Sequence, residues 1–247
     1  MTARASLILA AGKGTRMKSD LAKVLHAVDG RALVEYVVDT VEALGLAPNV
    51  VVVGHQADRV REVLRGRPVV FADQPEQLGT GDAVRRARRA LRGFQGHLAV
   101  LCGDVPFLRP STLQELFRRH EEGGFDATIL TAVLDDAAGY GRILRGPGGE
   151  VTGIVEHRDA SEEQRQVREI NTSTYCFSYP LVQEALAEVR DENSQGEYYL
   201  TDTIAVLRAW GRRVGAWAAP DPLEVSGVNT PAQLRALAEY YHRREGG

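Results

Sequence analysis

Two cations stand close together after a short apolar run at the start of this chain, and their setting points to phosphate chemistry. Leu7-Ile8-Leu9-Ala10-Ala11 reads as a buried parallel strand. It breaks into Gly12-Lys13-Gly14-Thr15-Arg16, and Lys23 follows. Two glycines with one residue between them permit a sharp turn and a close approach of backbone to ligand. Successive N–H groups in such a turn form an anion-binding nest. The stretch is neither of the common phosphate fingerprints. Lys13 is followed by Gly14 where a P-loop has Ser or Thr, and Met17 stands where a dinucleotide loop has its third glycine. A flexible loop after an edge strand is the plain alternative.

A second chemical group lies in Gly103-Asp104-Val105-Pro106. A carboxylate at the end of a buried strand must be paired, solvated or bound to metal. Mg²⁺ takes one or two protein oxygens and leaves the rest of its shell to phosphates and water. Asn229, in Gly227-Val228-Asn229, is the candidate second oxygen. Both residues have an alternative use as caps of the helices that follow them.

Gln74-Pro75-Glu76-Gln77-Leu78-Gly79-Thr80-Gly81 offers amide side chains and accessible backbone. Glutamine can answer both acceptors and donors on a ligand's edge; a polar loop capping a helix is the alternative. No HExxH, GxSxG or catalytic cysteine context is present. Transfer between phosphates needs none, because an attacking phosphate is already an anion and alignment with charge neutralisation suffices.

These groups require a scaffold that brings strand ends together. Helical spacing over Arg31 to Leu44, a β-branched run at Val50 to Val53, a helix over Asp58 to Leu64 and a strand at Pro68 to Ala72 follow the first loop. A helix at Asp82 to Leu91 and a strand at His97 to Cys102 come next. This alternation predicts a parallel sheet with helices on both faces over roughly the first 120 residues, with the polar loops at its carboxyl edge. Beyond that, Asp126 to Leu134 alternates as a strand. Two strands flank Gly146-Pro147-Gly148-Gly149 as a hairpin. A short helix or lid is expected at Asp159 to Val167 and a strand at Glu169 to Phe177. Helices at Pro180 to Val189 and Tyr199 to Trp210, a strand at Arg213 to Trp217, a strand end at Glu224 to Asn229 and a helix from Thr230-Pro231 to about Tyr241 complete the chain.

The stretch AAGKGTRMKSDLAKVLH resembles the signature of the sugar-nucleotidyltransferases, the nucleotide-sugar pyrophosphorylases. Its form is that of the uridylyltransferase half of bifunctional enzymes that join UTP to N-acetylglucosamine 1-phosphate. At least six motifs in the correct order, from Leu7 to about Tyr240, carry the resemblance. It implies a Rossmann-like α/β fold, a mainly parallel sheet flanked by helices, with an inserted sugar-binding β layer. It implies one domain over 1–247: a nucleotide half to about 125, a sugar half over about 126–229 and a C-terminal helix at 230–247.

The resemblance also assigns roles. Arg16 and Lys23 would be catalytic. Leu9, Ala10, Ala11, Gly12, Gly14 and Gly103 would face the nucleotide, and Gln74, Gln77, Gly79, Thr80 and Gly81 the uridine. Gly141, Glu156 and Asn171 would hold the amino sugar, with Tyr199 and Thr201 of Gly196-Glu197-Tyr198-Tyr199-Leu200-Thr201-Asp202 closing the acetamido pocket. Asp104 and Asn229 would hold Mg²⁺, and Asn229 would also meet substrate.

Three departures stand out. Ala22 replaces a proline and is expected to loosen the approach to Lys23. Asp82 replaces a histidine and is expected to be peripheral. Ser173 replaces a glycine, which puts a side chain near the sugar and tests a glycine-only backbone. Another hexose 1-phosphate, dTTP in place of UTP, or a non-catalytic nucleotide-sugar sensor are the competing readings. The bifunctional relatives continue into a left-handed β-helix acetyltransferase. No hexapeptide repeat occurs in these 247 residues, so that domain is expected to be absent.

Composition fits this picture. The net charge of −3 gives no reason to expect nucleic acid or membrane partners. The run Arg85-Arg86-Ala87-Arg88-Arg89 is expected to be one solvated helix face. The two cysteines, Cys102 and Cys176, match no metal spacing and suggest a reducing compartment, so a cytoplasmic protein with no obligate protein partner is expected.

Overall fold

The computed structural model describes residues 2–245. In chain order the elements are β1 (Arg4–Ala10), β2 (Ala27–Val28), β3 (Arg31–Ala32), α1 (Leu33–Ala43), β4 (Asn49–Val53), α2 (Ala57–Val63), β5 (Val70–Asp73), α3 (Thr80–Arg86) and β6 (Gly96–Cys102). Then come α4 (Pro110–Gly123), β7 (Ala127–Val133), β8 (Arg142–Arg145), β9 (Val151–Val155), α5 (Glu162–Arg165), β10 (Glu169–Tyr179), α6 (Leu181–Glu188), α7 (Asp202–Ala209), β11 (Val214–Ala218) and α8 (Pro231–Glu245).

The sheet runs β11-β7-β10-β6-β1-β4-β5, with the β8–β9 hairpin attached through β10. β6, β1, β4 and β5 are mutually parallel, as the continuous apolar runs require of strands buried on both faces. Successive β1 residues feed opposite layers. Leu7 packs in one core with Val50, Val52 and Val100, and Ile8 in the other with Val51, Val53 and Leu101. β10 is antiparallel to both β6 and β7, and so joins the sugar half to the same sheet.

Register brings the loops together. Leu9 lies opposite Val52 on one side and Cys102 on the other, and Val53 opposite Asp73. The segments beginning at Ala11, Gly54, Gln74 and Gly103 therefore leave the sheet at one edge, where open α/β sheets bind ligands.

Four expectations are corrected. Glu224 to Asn229 is not a strand but an irregular segment. It is held by the Thr112 hydroxyl donating to the buried Glu224 carboxylate at 2.7 Å. The helix expected from Tyr199 begins at Asp202 instead, because Tyr199 and Thr201 turn toward a cavity. The helix expected through Leu91 tightens into a 3₁₀ turn at Ala87–Arg89. Arg85 also leaves the solvated face: it donates to the carbonyls of Leu186 and Val189 at the end of α6 and lies over the Tyr198 ring.

A buried histidine on α4 gives the fold an acid limit. His120 has no solvent exposure and packs edge-on to His97 with ring centroids 4.6 Å apart. Burial, with His97 beside it, pushes its pKa down to about 3. The unfolded chain binds this proton near pH 6.5 and the folded chain does not. His120 thus contributes stability that is complete above pH 6.5 and is lost as pH falls toward 3. The urea midpoint should fall between pH 7 and 4, and His120→Gln should flatten that fall. An unchanged slope in the variant would place the pH dependence elsewhere.

Candidate active site

Arg16, Lys23, Asp104 and Asn229, spread over more than two hundred positions of sequence, meet at the carboxyl edge. The Lys23 ammonium lies 2.6 Å from Asp104 Oδ2 and donates to Asn229 Oδ1 at 3.2 Å. Arg16 donates to the same Asn229 oxygen at 2.8 Å. Neighbouring apolar residues fix these positions. Met17, next to Arg16, and Val228, next to Asn229, are buried in a small core with Leu33, Tyr36, Phe107 and Leu237. This explains the methionine where a dinucleotide loop has glycine. The Val228 N–H donates to the Asp104 carbonyl at 3.0 Å, which sets Asn229 beside Asp104.

Neither oxygen group is a helix cap. Thr230 Oγ1 accepts from the Gln233 N–H, while Gln233 Oε1 accepts from the Asn229 N–H. This reciprocal pair starts α8 and leaves the Asn229 side chain free for the cations. Arg109 occupies the cap position of α4, five residues beyond Asp104.

The donor set suits a hard divalent cation. Two oxygens already converge on one positive charge, the ammonium of Lys23. Gly227 keeps the adjacent space open: a Cβ there would lie 3.2 Å from Asp104 Oδ2. Among the described residues no three His, Cys, Asp or Glu side chains cluster as a metal cage. A metal held by Asp104 and Asn229 would take its other ligands from phosphate and water, as Mg²⁺ does.

Gly14 is needed for this geometry. It has φ +67°, and a Cβ on it would sit 2.6 Å from Lys23 Cβ. Gly12 has nothing within 4 Å of such a position, so its missing side chain faces the open cleft. At Ala22, where loosening is expected, the N–H donates to Gln56 Oε1 at 3.1 Å, a bond that a proline there could not make.

Three connected cavities surround the cluster. One, about 400 Å³, is lined by Leu9, Ala11, Gly12, Gly14, Gln74, Gln77, Gly79 and Thr80, and by Lys23 and Asp104 at its end. Another, about 470 Å³, is bounded by Arg16, Lys23, Asn229 and Glu156. The third, about 170 Å³, lies between Glu156, Ser173, Tyr199 and Thr201. Lys23 is shared by the first two and Glu156 by the last two.

Other candidates contribute indirectly. Ala10 is buried in the core beneath the loop. The Gly103 N–H closes the β1–β6 ladder on the Leu9 carbonyl at 2.9 Å. The Gly81 N–H donates to the Tyr198 carbonyl at 2.7 Å, so it faces protein and not the cleft. Gly141 packs between Glu156 and Asn171.

Gln74 is restricted in a way the sequence did not reveal. It is buried, and its Nε2 donates to both the Gly79 carbonyl and Asp82 Oδ2, each at 3.0 Å. Both partners are acceptors, which fixes the amide orientation chemically. Asp82 is therefore not peripheral. It is buried, is paired with Arg86 at 3.2 Å, and leaves Gln74 only its carbonyl oxygen to offer a ligand.

The sugar-side pocket is set by the β10 bulge between Asn171 and Thr174. Ser173 takes a left-handed φ of 59°, so the serine does adopt positive φ. The side-chain Oδ1 of Asn171 accepts its N–H at 3.0 Å. Burial raises the pKa of Glu156, which accepts from the Thr201 hydroxyl at 3.2 Å. Burial also pushes the Cys102 thiol up to about 12, so it stays protonated beside the cleft.

The MobA-like NTP transferase domain family matches residues 6–199, most of the sheet and the cleft loops except the segments of Thr201 and Asn229. This chain belongs to that family. It is 51% identical over 239 residues to the bifunctional protein GlmU of Brevibacillus brevis and 52% identical over 240 residues to GlmU of Syntrophotalea carbinolica. Each alignment covers 97% of this chain and 52% of the relative, so the chain spans about half the length of these relatives. The fold is shared with a UDP-glucose pyrophosphorylase solved with UDP-glucose, at TM-score 0.76 and 18% identity, over 99% of this chain and 100% of that one. The nucleotidyltransferase fold with its mainly parallel sheet is thus as expected. No helix among the described residues is long and apolar enough to cross a membrane.

Proposed function

We propose that this chain is a cytoplasmic, Mg²⁺-dependent nucleotidyltransferase domain that transfers the uridylyl group of UTP to N-acetylglucosamine 1-phosphate and releases pyrophosphate. The observation that carries this reading is the position of Lys23, where the two larger cavities meet beside Asp104 and Asn229. One cavity has the amide and glycine loop suited to a pyrimidine. The other leads to Glu156 and the small pocket suited to a sugar. The similarity to GlmU supports the amino sugar.

Catalysis on this reading is alignment with charge neutralisation. Asp104 and Asn229 would hold Mg²⁺, which when bound supplies positive charge to the triphosphate. Lys23 serves the α-phosphate, where the substrates meet, and Arg16 the β- and γ-phosphates that leave together. Glu156 accepts sugar hydroxyls. The sugar phosphate attacks as an anion, so no side chain has to take a proton.

Base choice follows from Gln74. With both amide hydrogens spent on Gly79 and Asp82, its free oxygen accepts the N3–H of uracil, which cytosine lacks. Losing one buried hydrogen bond costs about 1–3 kcal/mol. UTP should therefore exceed CTP in kcat/KM by about tenfold or more. Asp82→Ala, which frees the Gln74 amide to turn over, should narrow the ratio. Equal kcat/KM for the two nucleotides in the wild type would show that this loop does not read the base.

A further inference from the structure

Lys23 stands at the end of a long loop whose own backbone bonds are few. Between Gly12 and Ala22 the loop has Met17 N–H on Gly14, Lys18 N–H on Thr15, and Leu21 N–H on the Ser19 hydroxyl. Beyond them, the Leu25 N–H on the Ala22 carbonyl closes the turn Lys23–Leu25, and Ala22, Val24 and Leu25 are buried in the core. None of these bonds uses the Asp20 carbonyl or the Ala22 N–H.

The turn after β4 supplies what is missing. Gly54 packs so closely on the loop that a Cβ would lie 2.9 Å from Ala11 Cβ and 3.1 Å from the Ala11 carbonyl. The His55 N–H donates to that same carbonyl at 3.1 Å, which fastens the start of the loop. Gln56 follows with φ 54°, a left-handed conformation that a glutamine adopts only at a cost. Its side chain then spans the end of the loop. Gln56 Oε1 accepts from the Ala22 N–H at 3.1 Å, and Nε2 donates to the Asp20 carbonyl at 2.7 Å. One primary amide thus closes on a donor and an acceptor two residues apart. Its orientation is dictated by those partners, since only the oxygen can accept and only the nitrogen can donate.

Gln56 lines none of the three cavities around the site. The residue after its Ala22 contact is Lys23, whose Cβ has Gly14 behind it and whose ammonium reaches Asp104 and Asn229. We propose that Gln56 is a positioning residue for Lys23, its amide clamping Asp20 and Ala22 so that the ammonium is held where the two cavities meet. This rests on the reading of Lys23 as the group that serves the α-phosphate. An amide that only positions a transition-state charge affects kcat and leaves the binding of UTP nearly intact.

The backbone of Ala22 offers a rescue that a general loss of stability would not show. Ala22 has φ −54° and ψ 137°, within the range that proline fixes. A proline there has no N–H and needs no partner for it. With Gln56 shortened, the ring carbon has the space the amide occupied, and the ring restores stiffness the clamp supplied. With Gln56 present, the ring carbon would press on Gln56 Oε1.

Steady-state kinetics of Gln56→Ala should show kcat reduced about tenfold, the effect of roughly one well-made hydrogen bond on a barrier, with KM for UTP within about twofold. Adding Ala22→Pro to Gln56→Ala should recover most of the lost kcat, while Ala22→Pro alone should be impaired. Unchanged kcat in Gln56→Ala, or a folded double variant no faster than the single, would overturn the proposal. If Gln56→Ala fails to fold, Gln56→Met removes both hydrogen bonds at similar length and should show the same kinetic pattern. Amide hydrogen exchange separates the clamp from the role of Lys23. Exchange at Ala22 should accelerate about tenfold or more in Gln56→Ala, and unchanged exchange would refute the clamp. A Lys23→Ala variant altered only in KM would instead refute the assignment of Lys23.

Discussion

Lys23→Ala should lose on the order of 10²-fold or more in kcat while KM for UTP stays nearly constant. The size follows from the removal of one preorganised electrostatic donor at the point where charge develops. The direction follows from place. Lys23 is shared by the cavity of the Gln74–Gly81 loop and the cavity that leads to Glu156, so on the proposed reading its charge acts where the two polyanions join. A group that acts mainly as the transition state forms lowers kcat when removed. Arg16, which shares Asn229 Oδ1 with Lys23, should divide differently: Arg16→Ala should place a larger share of its defect in KM for UTP. Should Lys23→Ala raise only KM, the lysine is a docking charge and the proposed division of labour fails.

Asp104→Ala should nearly abolish turnover and affect uridine nucleotide binding less. Asp104 is the sole carboxylate touching the Lys23 ammonium among the described contacts, and its side chain is only 10% exposed. Its loss leaves the Lys23 cation without its charged partner and would leave the proposed metal without its charged protein ligand. Asn229→Ala should follow the same pattern through the loss of one oxygen. The check is kcat across a Mg²⁺ titration, with a thermal melt of each variant to separate folding from catalysis. Near wild-type rates for Asp104→Ala at moderate Mg²⁺ would remove the metal assignment.

Much of this arrangement was legible because it is written in local pattern. Apolar runs gave the parallel strands, and polar loops after them gave the binding edge. Arg16, Lys23, Asp104 and Asn229 could be singled out by type and by motif. What pattern could not supply were partners far apart in sequence. The antiparallel direction of β10 depends on contacts with β6 and β7, more than thirty positions away. Glu224 to Asn229 has a strand-like composition, yet the Thr112 contact and the Asp104 carbonyl hold it as an irregular segment. Asp82 read as peripheral, since only the fold shows Gln74 Nε2 against it. Ser173 read as a side chain tested by a glycine-only backbone, and the Asn171 side chain that supports its positive φ is a local signal that could have been weighed. The partner of Ala22 was hidden for the same reason as that of Asp82: Gln56 is thirty-four positions on.

The most direct test of the account is release of pyrophosphate by the purified chain given UTP, N-acetylglucosamine 1-phosphate and Mg²⁺. The account predicts sustained release that requires both substrates, ceases when Mg²⁺ is chelated, and returns when it is restored. Tight binding of UTP with no pyrophosphate formed, under conditions where the chain is folded, would contradict it and identify a nucleotide-binding domain without turnover.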